Sequence, residues 1–262
     1  MERRLIYDVG VNDGADTAFY LAQGFRVVGI EASPALASML RARFSAEIAD
    51  EAFVLLNVGV AAEEGEATFW ISDQNEWSSF NLEIASRNGV GHRPVIIPTV
   101  PFGSIIAEHG VPHYCKIDIE GNDWLCLAKL TPETSPTYIS IEMSHQEGSR
   151  DLQLLRSLGY TKFKIVSQVT RAQPSLLLTW LGYALPPKAA RFVRRATGRL
   201  FGVKSINGWY FEQNSSGPFA EDTPGPWRSY DQIVRVFGFL KAVDIRFGAN
   251  GLGEWFDIHA TR

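Results

Sequence analysis

Over its first two-thirds the chain alternates short apolar runs with helix-period segments, the order of elements that builds a parallel α/β sheet. Residues 5–9 form an apolar run that stops at Gly10 and predicts the first strand. A helix over 17–23 follows, closed by Gly24, which suits a left-handed C-terminal cap. Residues 26–31 read as the second strand. The next helix covers 33–44, with Ser33 as N-cap and Pro34 at the first helical position. Further strands are predicted at 53–58, 95–100, 114–119, 137–143 and 162–169. Alternation over 66–71, after a turn at Glu64-Gly65, adds another. Helices are predicted at 102–109, 124–130 and 152–158, the last closed by Gly159.

Beyond residue 169 the pattern changes. Residues 174–183 are apolar and rich in leucine and tryptophan. From 188 to 204 come Lys188, Arg191, Arg194, Arg195, Arg199 and Lys204 without one acidic residue. An acidic, Gly/Pro-rich loop (SSGPFAEDTPGPW) follows, then a helix near 230–240 and a final apolar run, WFDIHA. These connections are long for plain αβ loops. The expectation is one domain over 1–262, with a Rossmann-like core at 1–170 and a lid or insertion with the C-terminal elements at 171–262. The fold class is α/β: a mainly parallel sheet with helices on both faces.

Composition narrows the class without naming it. At 262 residues, 45% hydrophobic and 21% charged, the chain can bury one substantial core and has an ordinary soluble balance. A net charge of −4 gives no global signal for nucleic-acid binding. Two cysteines, Cys115 and Cys126, make neither a disulfide framework nor a zinc-ligand set, and read as buried thiols in a reducing compartment. No stretch approaches roughly 18 uninterrupted apolar residues, and the opening MERRLIYDVG lacks the features of a signal peptide. A cytoplasmic enzyme, in one variant peripheral to the inner membrane face, is the expectation.

The most informative stretch is Asp8-Val-Gly-Val-Asn-Asp-Gly14, between a strand and a helix. Gly10 and Gly14 allow a sharp turn and let a ligand lie against bare backbone. Amides at the following helix start favour a carboxylate or phosphate. Glu31 ends the second strand, where an acid can accept hydrogen bonds from ribose hydroxyls. The turn, the helix and the strand-end acid together point to a nucleoside-containing ligand. The spacing is GxNxG rather than the GxGxxG that cradles a pyrophosphate. Asp8 and Asp13 would repel a pyrophosphate and attract the cationic amine of S-adenosylmethionine. Asp8 can also be read as a structural acid that satisfies loop amides.

The runs YDVGVNDG, VVGIEASP and CKIDIEGND, the last leading into an apolar helix, resemble the FkbM-type methyltransferase family. The similarity covers roughly residues 5–169, and SSGPFAEDTPG resembles a tail segment of some relatives. DxGxNxG combined with KIDIEG is specific where neither half is. The resemblance implies a class I methyltransferase fold and transfer of a methyl group to oxygen. It assigns Asp8, Gly10, Asn12 and Gly14 to the methionine part of the cofactor, and Glu31 with Ala32 to the ribose. Asn57 and Val58 would lie near the adenine, and Trp77-Ser78-Ser79 corresponds to a serine-containing loop near the cofactor.

Ligands of open parallel sheets bind beyond the carboxyl ends of the strands, where Asp118, Glu120 and Glu142 stand, with His145 shortly after. Methylating an alcohol benefits from a base, or from a metal that lowers the hydroxyl pKa. Asp118 is the first candidate for that base, and Glu142 with His145 the second. Asp118 can equally bind the cofactor ammonium or cap the next helix, and Glu120 can complement the helix dipole. A divalent metal held by Asp118, Glu142 and a substrate diol is a further alternative. His92, His109 and His113 fall in predicted loops or helix ends, and His259 reads as structural, packed with Asp257. Tyr160 and Lys164 have the Tyr-x-x-x-Lys spacing of short-chain dehydrogenases, but they open a strand-like run rather than share a helix face.

The acceptor class follows from the resemblance: a sugar, glycolipid or related hydroxylated small molecule. The apolar and basic segment over 174–204 reads as a lid, a solvated basic helix or a peripheral membrane contact, and Arg194 and Arg195 as binders of a substrate anion. A nicotinamide-dependent oxidoreductase and a non-catalytic nucleoside-binding protein of the same fold are the competing readings.

Overall fold

In the computed structural model, residues 3–144, 146–212, 214–247 and 255–262 are described. The chain forms two compact units that divide between Thr137 and Tyr138.

The first unit contains β1 (Leu5–Val9), α1 (Ala15–Ala22), β2 (Arg26–Ile30), α2 (Pro34–Arg43), α3 (Ser45–Ala49), β3 (Phe53–Leu56), β4 (Gly59–Val60) and β5 (Gly65–Ser72). It continues through α4 (Leu82–Ala85), β6 (His92–Val100), α5 (Phe102–His109), β7 (Tyr114–Ile117) and α6 (Asp123–Ala128). Strands β3, β2, β1 and β7 lie side by side, all parallel. β1, β2 and β7 are buried along almost their whole length, which is why they read as continuous apolar runs rather than alternating ones. A separate small sheet pairs β6 with β5 antiparallel and with β4 parallel. There one face is wet: Ile97 and Thr99 are buried while Ile96 is exposed, the period-two signature.

Local chemistry sets the element ends. Ser33 Oγ accepts from the Leu36 amide ahead of α2, with Pro34 at its first position. α1 begins two residues earlier than the pattern predicts: Gly14, at positive φ, turns the chain into it, and the Asp13 side chain accepts from the Ala15 amide. β3 stops at Leu56 because Asn57 leaves the ladder and donates to the Glu31 and Ala32 carbonyls. Tyr7 carries the core of this unit outward: it packs edge-on against Phe102 and donates to the Gly110 carbonyl at 2.7 Å. Burial of each such large side chain contributes roughly 1.5–3 kcal/mol.

The second unit contains β8 (Tyr138–Glu142), α7 (Gly148–Ser157), β9 (Lys162–Ser167), α8 (Leu176–Ala184), α9 (Pro187–Phe201), β10 (Ser205–Ile206), β11 (Trp209–Tyr210), α10 (Tyr230–Phe247) and β12 (Phe256–Thr261). The last strand enters between β8 and β9 and runs antiparallel to both. β10 and β11 form a hairpin whose loop residues Asn207 and Gly208 both have positive φ, the tight turn that Asn-Gly favours.

Lys164 of β9 is buried and staples the acidic loop: its Nζ donates to the Thr223 carbonyl at 2.7 Å and hydroxyl at 2.9 Å, and sits 4.2 Å from the Trp227 ring centre. Tyr160 precedes the same strand, so the Tyr160/Lys164 pair stands on no helix. His259 lies opposite Lys164 in the ladder, and burial, then that lysine, push its pKa down to about 3. The loop is less open than its composition suggests, since residues 215–219 are buried. Among the other histidines, His92 opens β6 rather than a loop, His109 ends α5, and His113 stacks on Phe25.

Candidate cofactor and catalytic site

The turn after β1 is built from backbone contacts. The Gly10 amide donates to the Ile30 carbonyl at 2.9 Å, and the Asp118 amide donates to the Val9 carbonyl at 2.9 Å. Gly10 has φ +90°, and a Cβ there would lie 1.8 Å from the Asp118 carbonyl oxygen. Only glycine lets the two strand ends come this close. Asn12 adopts positive φ without being glycine, and its amide donates to Glu31 Oε2 at 2.9 Å. The Ser33 amide donates to Glu31 Oε1 at 2.8 Å. Glu31 thus clamps the turn after β1 to the turn after β2. Burial pushes its pKa up to about 7 against those two hydrogen bonds. Each carboxylate oxygen retains a second lone pair that can accept from a ligand hydroxyl.

Beneath the turn lies a buried charge cluster. Asp8 is fully buried and pairs in register with Lys116 of β7. Thr17 donates to Asp8 Oδ2 at 2.6 Å, while Asp8 Oδ1 has no hydrogen-bond partner and stands 3.8 Å from Lys116 Nζ. The same ammonium is 3.1 Å from Asp16 and 3.6 Å from Asp118. Burial raises the Asp8 pKa, with Lys116 opposing it. Lys116 thus faces three carboxylates at once, a local field that favours a cationic ligand group nearby. Of the three acids, Asp118 is the one that reaches the surface, its side chain 28% exposed.

The turn after β7 is acidic as well. Asp123 Oδ1 accepts from the Ile119 amide and Oδ2 from the Gly121 amide, both at 3.1 Å, so β7 ends two residues short of the predicted strand. Burial, then the Asp118 charge, raise the Asp123 pKa to about 6. Burial likewise raises that of Glu120, with Asp118 adding to it and Arg87, at 3.4 Å, opposing it. Ser79 Oγ donates to the Glu120 carbonyl at 2.7 Å and accepts from the Asn81 amide. Ser78 Oγ accepts from the Ser72 amide.

The first unit therefore holds Asp8, Gly10, Asn12, Gly14, Glu31, Ala32, Asn57, Val58, Ser78, Ser79 and Asp118, with contacts linking the turns after β1, β2 and β7. Asp8 lies under the turn rather than on it. Glu142 ends β8 in the second unit, opposite Asp257 of β12, and His145 lies outside the described residues. Lys116, Asp16 and Thr17 are the site residues that sequence reasoning passed over. The parallel register of β1 with β7, which no local pattern announces, is what sets Lys116 beside Asp8.

The fit to S-adenosylmethionine rests on these features: the close turn at Gly10, the carboxylates around Lys116 with an orphaned Asp8 oxygen, and a clamped acid at the end of β2. A turn, strand-end acid and parallel order of this kind are those of a Rossmann-like fold that binds a nucleoside-containing ligand. Residues 8–162 match the family described as the methyltransferase FkbM domain. The chain belongs to that family and is an S-adenosylmethionine-dependent methyltransferase. Among solved structures it is similar to precorrin-6Y C5,15-methyltransferase from Geobacter metallireducens, at 8% identity over 100% of this chain and 82% of that one, TM-score 0.40. The C-terminal domain of the Rhodobacter capsulatus precorrin-6Y C5,15-methyltransferase is 14% identical over 67% and 72%, TM-score 0.38. An O-methyltransferase from Bacillus cereus, in complex with SAH, is 14% identical over 63% and 67%, TM-score 0.36. The chain has no match among curated proteins.

Proposed function

We propose that the chain methylates a hydroxyl oxygen on a sugar, glycolipid or related small molecule, with Asp118 as the proton acceptor. The observation that carries this reading is Asp118 itself, a partly exposed carboxylate at the end of β7 beside the Gly10 turn. S-adenosylmethionine supplies an electrophilic methyl group on a sulfonium and departs as a neutral thioether. The residues do the rest. The backbone of Gly10, Asn12 and Gly14 receives the methionine part, and the carboxylates around Lys116 favour its ammonium. Glu31 accepts from the ribose, with Asn57 bracing the Glu31 and Ala32 carbonyls from below. Asn57 and Val58 border the adenine, and Ser78 and Ser79 hold the loop that faces it. Asp118 takes the acceptor's hydroxyl proton as the oxygen attacks the methyl carbon. The step needs alignment more than activation.

The test is transfer of an isotopically labelled methyl group to a panel of sugars and lipid-linked glycans, with the labelled atom located by NMR. Label on oxygen supports the reading, and label on carbon or nitrogen overturns it. Asp118→Asn should lower kcat on the order of 10²-fold or more while calorimetric cofactor affinity changes far less. Equal losses in both would make Asp118 a cofactor-binding residue.

A further inference from the structure

From 152 to 211 the chain carries no aspartate or glutamate at all, although the whole protein is net negative. Helices α8 and α9 lie within that stretch and pack on each other. α8 has no charged residue, and its exposed positions Leu176, Leu177 and Trp180 recur at one-helix-face spacing, with Leu177 65% exposed. A water-soluble helix normally turns polar residues outward there. α9 is different in kind. Lys188, Arg191, Arg195 and Arg199 are all exposed and recur at spacings of three and four, forming one basic stripe. Phe192, 73% exposed, stands at the edge of that stripe, and Leu200, 75% exposed, continues the apolar edge. The inward side of α9 is made by Ala190, Val193 and Thr197. Among the described residues, these exposed apolar side chains and arginines make no ion pair or ring contact that would explain them.

We propose that α8 and α9 form a docking surface for an anionic lipid bilayer, α8 inserting Leu177 and Trp180 at the headgroup boundary while the α9 arginines meet lipid phosphates. The charge pattern selects the occupant, because a cationic stripe with no acid for sixty residues complements a negatively charged surface. The contact is interfacial: no helix among the described residues is long and apolar enough to cross a membrane. Such a surface brings a water-soluble transferase to acceptors that are themselves held in a membrane. The inference stands on the second unit alone and does not depend on the methylated atom.

The experiment is flotation of the full chain with vesicles of phosphatidylcholine alone or mixed with phosphatidylglycerol. Binding is expected to the mixed vesicles, to be weak on the neutral ones, and to fall as salt is added. Replacing Arg191, Arg195 and Arg199 by glutamine should reduce partitioning by on the order of fivefold per residue, so about a hundredfold together. A second variant, Leu177→Ser with Trp180→Ser and Phe192→Ser, should lose binding while keeping its charge. Far-UV circular dichroism and calorimetric titration with S-adenosylmethionine on both variants show whether they fold and keep the cofactor site. Failure here with cofactor binding intact is thereby separated from failure of the enzymatic reading. No binding to mixed vesicles, equal binding to neutral ones, or variants that bind like the parent would each overturn the proposal. Concentration-dependent dimerisation, abolished by the serine variant and without vesicle binding, would give the surface to a second copy of the chain instead.

Discussion

Gly10 and Gly24 both have positive φ and differ in their surroundings, which makes them an informative pair. Gly24, after α1, has φ +83° and nothing within 4 Å of where a Cβ would stand. Gly24→Ala therefore carries only the left-handed penalty, roughly 1–2 kcal/mol. Gly10, at φ +90°, carries a positive-φ penalty too and in addition places its Cβ 1.8 Å from the Asp118 carbonyl oxygen. That oxygen is backbone and cannot swing aside. The turn after β1 and the turn after β7 must separate by about 1.5 Å to restore van der Waals contact, and overpacking of this kind adds roughly 1–3 kcal/mol. At about 2–4 °C per kcal/mol for a chain of this size, Gly24→Ala should lower Tm by about 4 °C and Gly10→Ala by about 10 °C. Because the displaced backbone belongs to the turns after β1 and β7 that border the cofactor site, Gly10→Ala should also weaken S-adenosylmethionine binding at least tenfold, while Gly24→Ala leaves it unchanged. The assays are thermal unfolding and calorimetric titration. Equal Tm losses with equal affinities in the two variants would refute the argument that close approach, rather than conformation, demands glycine at position 10.

Two further predictions concern the buried charges. Burial raises the Glu31 pKa from 4.5 to about 7, so the associated stability is fully present below pH 4.5 and is lost as pH rises through 7. The loss amounts to about 3 kcal/mol; urea unfolding between pH 4 and 8 should show the parent losing stability relative to Glu31→Gln across that window, and parallel curves would sink the assignment. Lys116→Met removes a buried cation that faces Asp8, Asp16 and Asp118 and should cost about 3–5 kcal/mol at neutral pH. Part of that cost should return on acidification as Asp8, its pKa raised by burial, protonates, whereas a loss independent of pH would mean the lysine serves by packing alone.

Much of the local structure was legible because its causes are local. The start of α2 follows from Ser33 and Pro34, α5 spans the predicted 102–109, and the turn after β1 is announced by its two glycines. Glu31 was placed at a strand end by position alone, and the structure puts it between two amides of different turns. The Asn207-Gly208 hairpin was equally legible, yet it lay inside a segment read by composition instead of turn chemistry.

What the residue order determines by itself is whatever a few neighbouring residues decide: period, caps, turn type and the glycine-acid grammar of the cofactor turn. The insertion of β12 between β8 and β9, the separate β4–β6–β5 sheet and the meeting of Asp8 with Lys116 belong to the tertiary structure alone. Each joins segments far apart in sequence, and such pairings are chosen by which apolar faces bury together and by the cost of closing the loops between them, neither of which any short stretch of residues encodes.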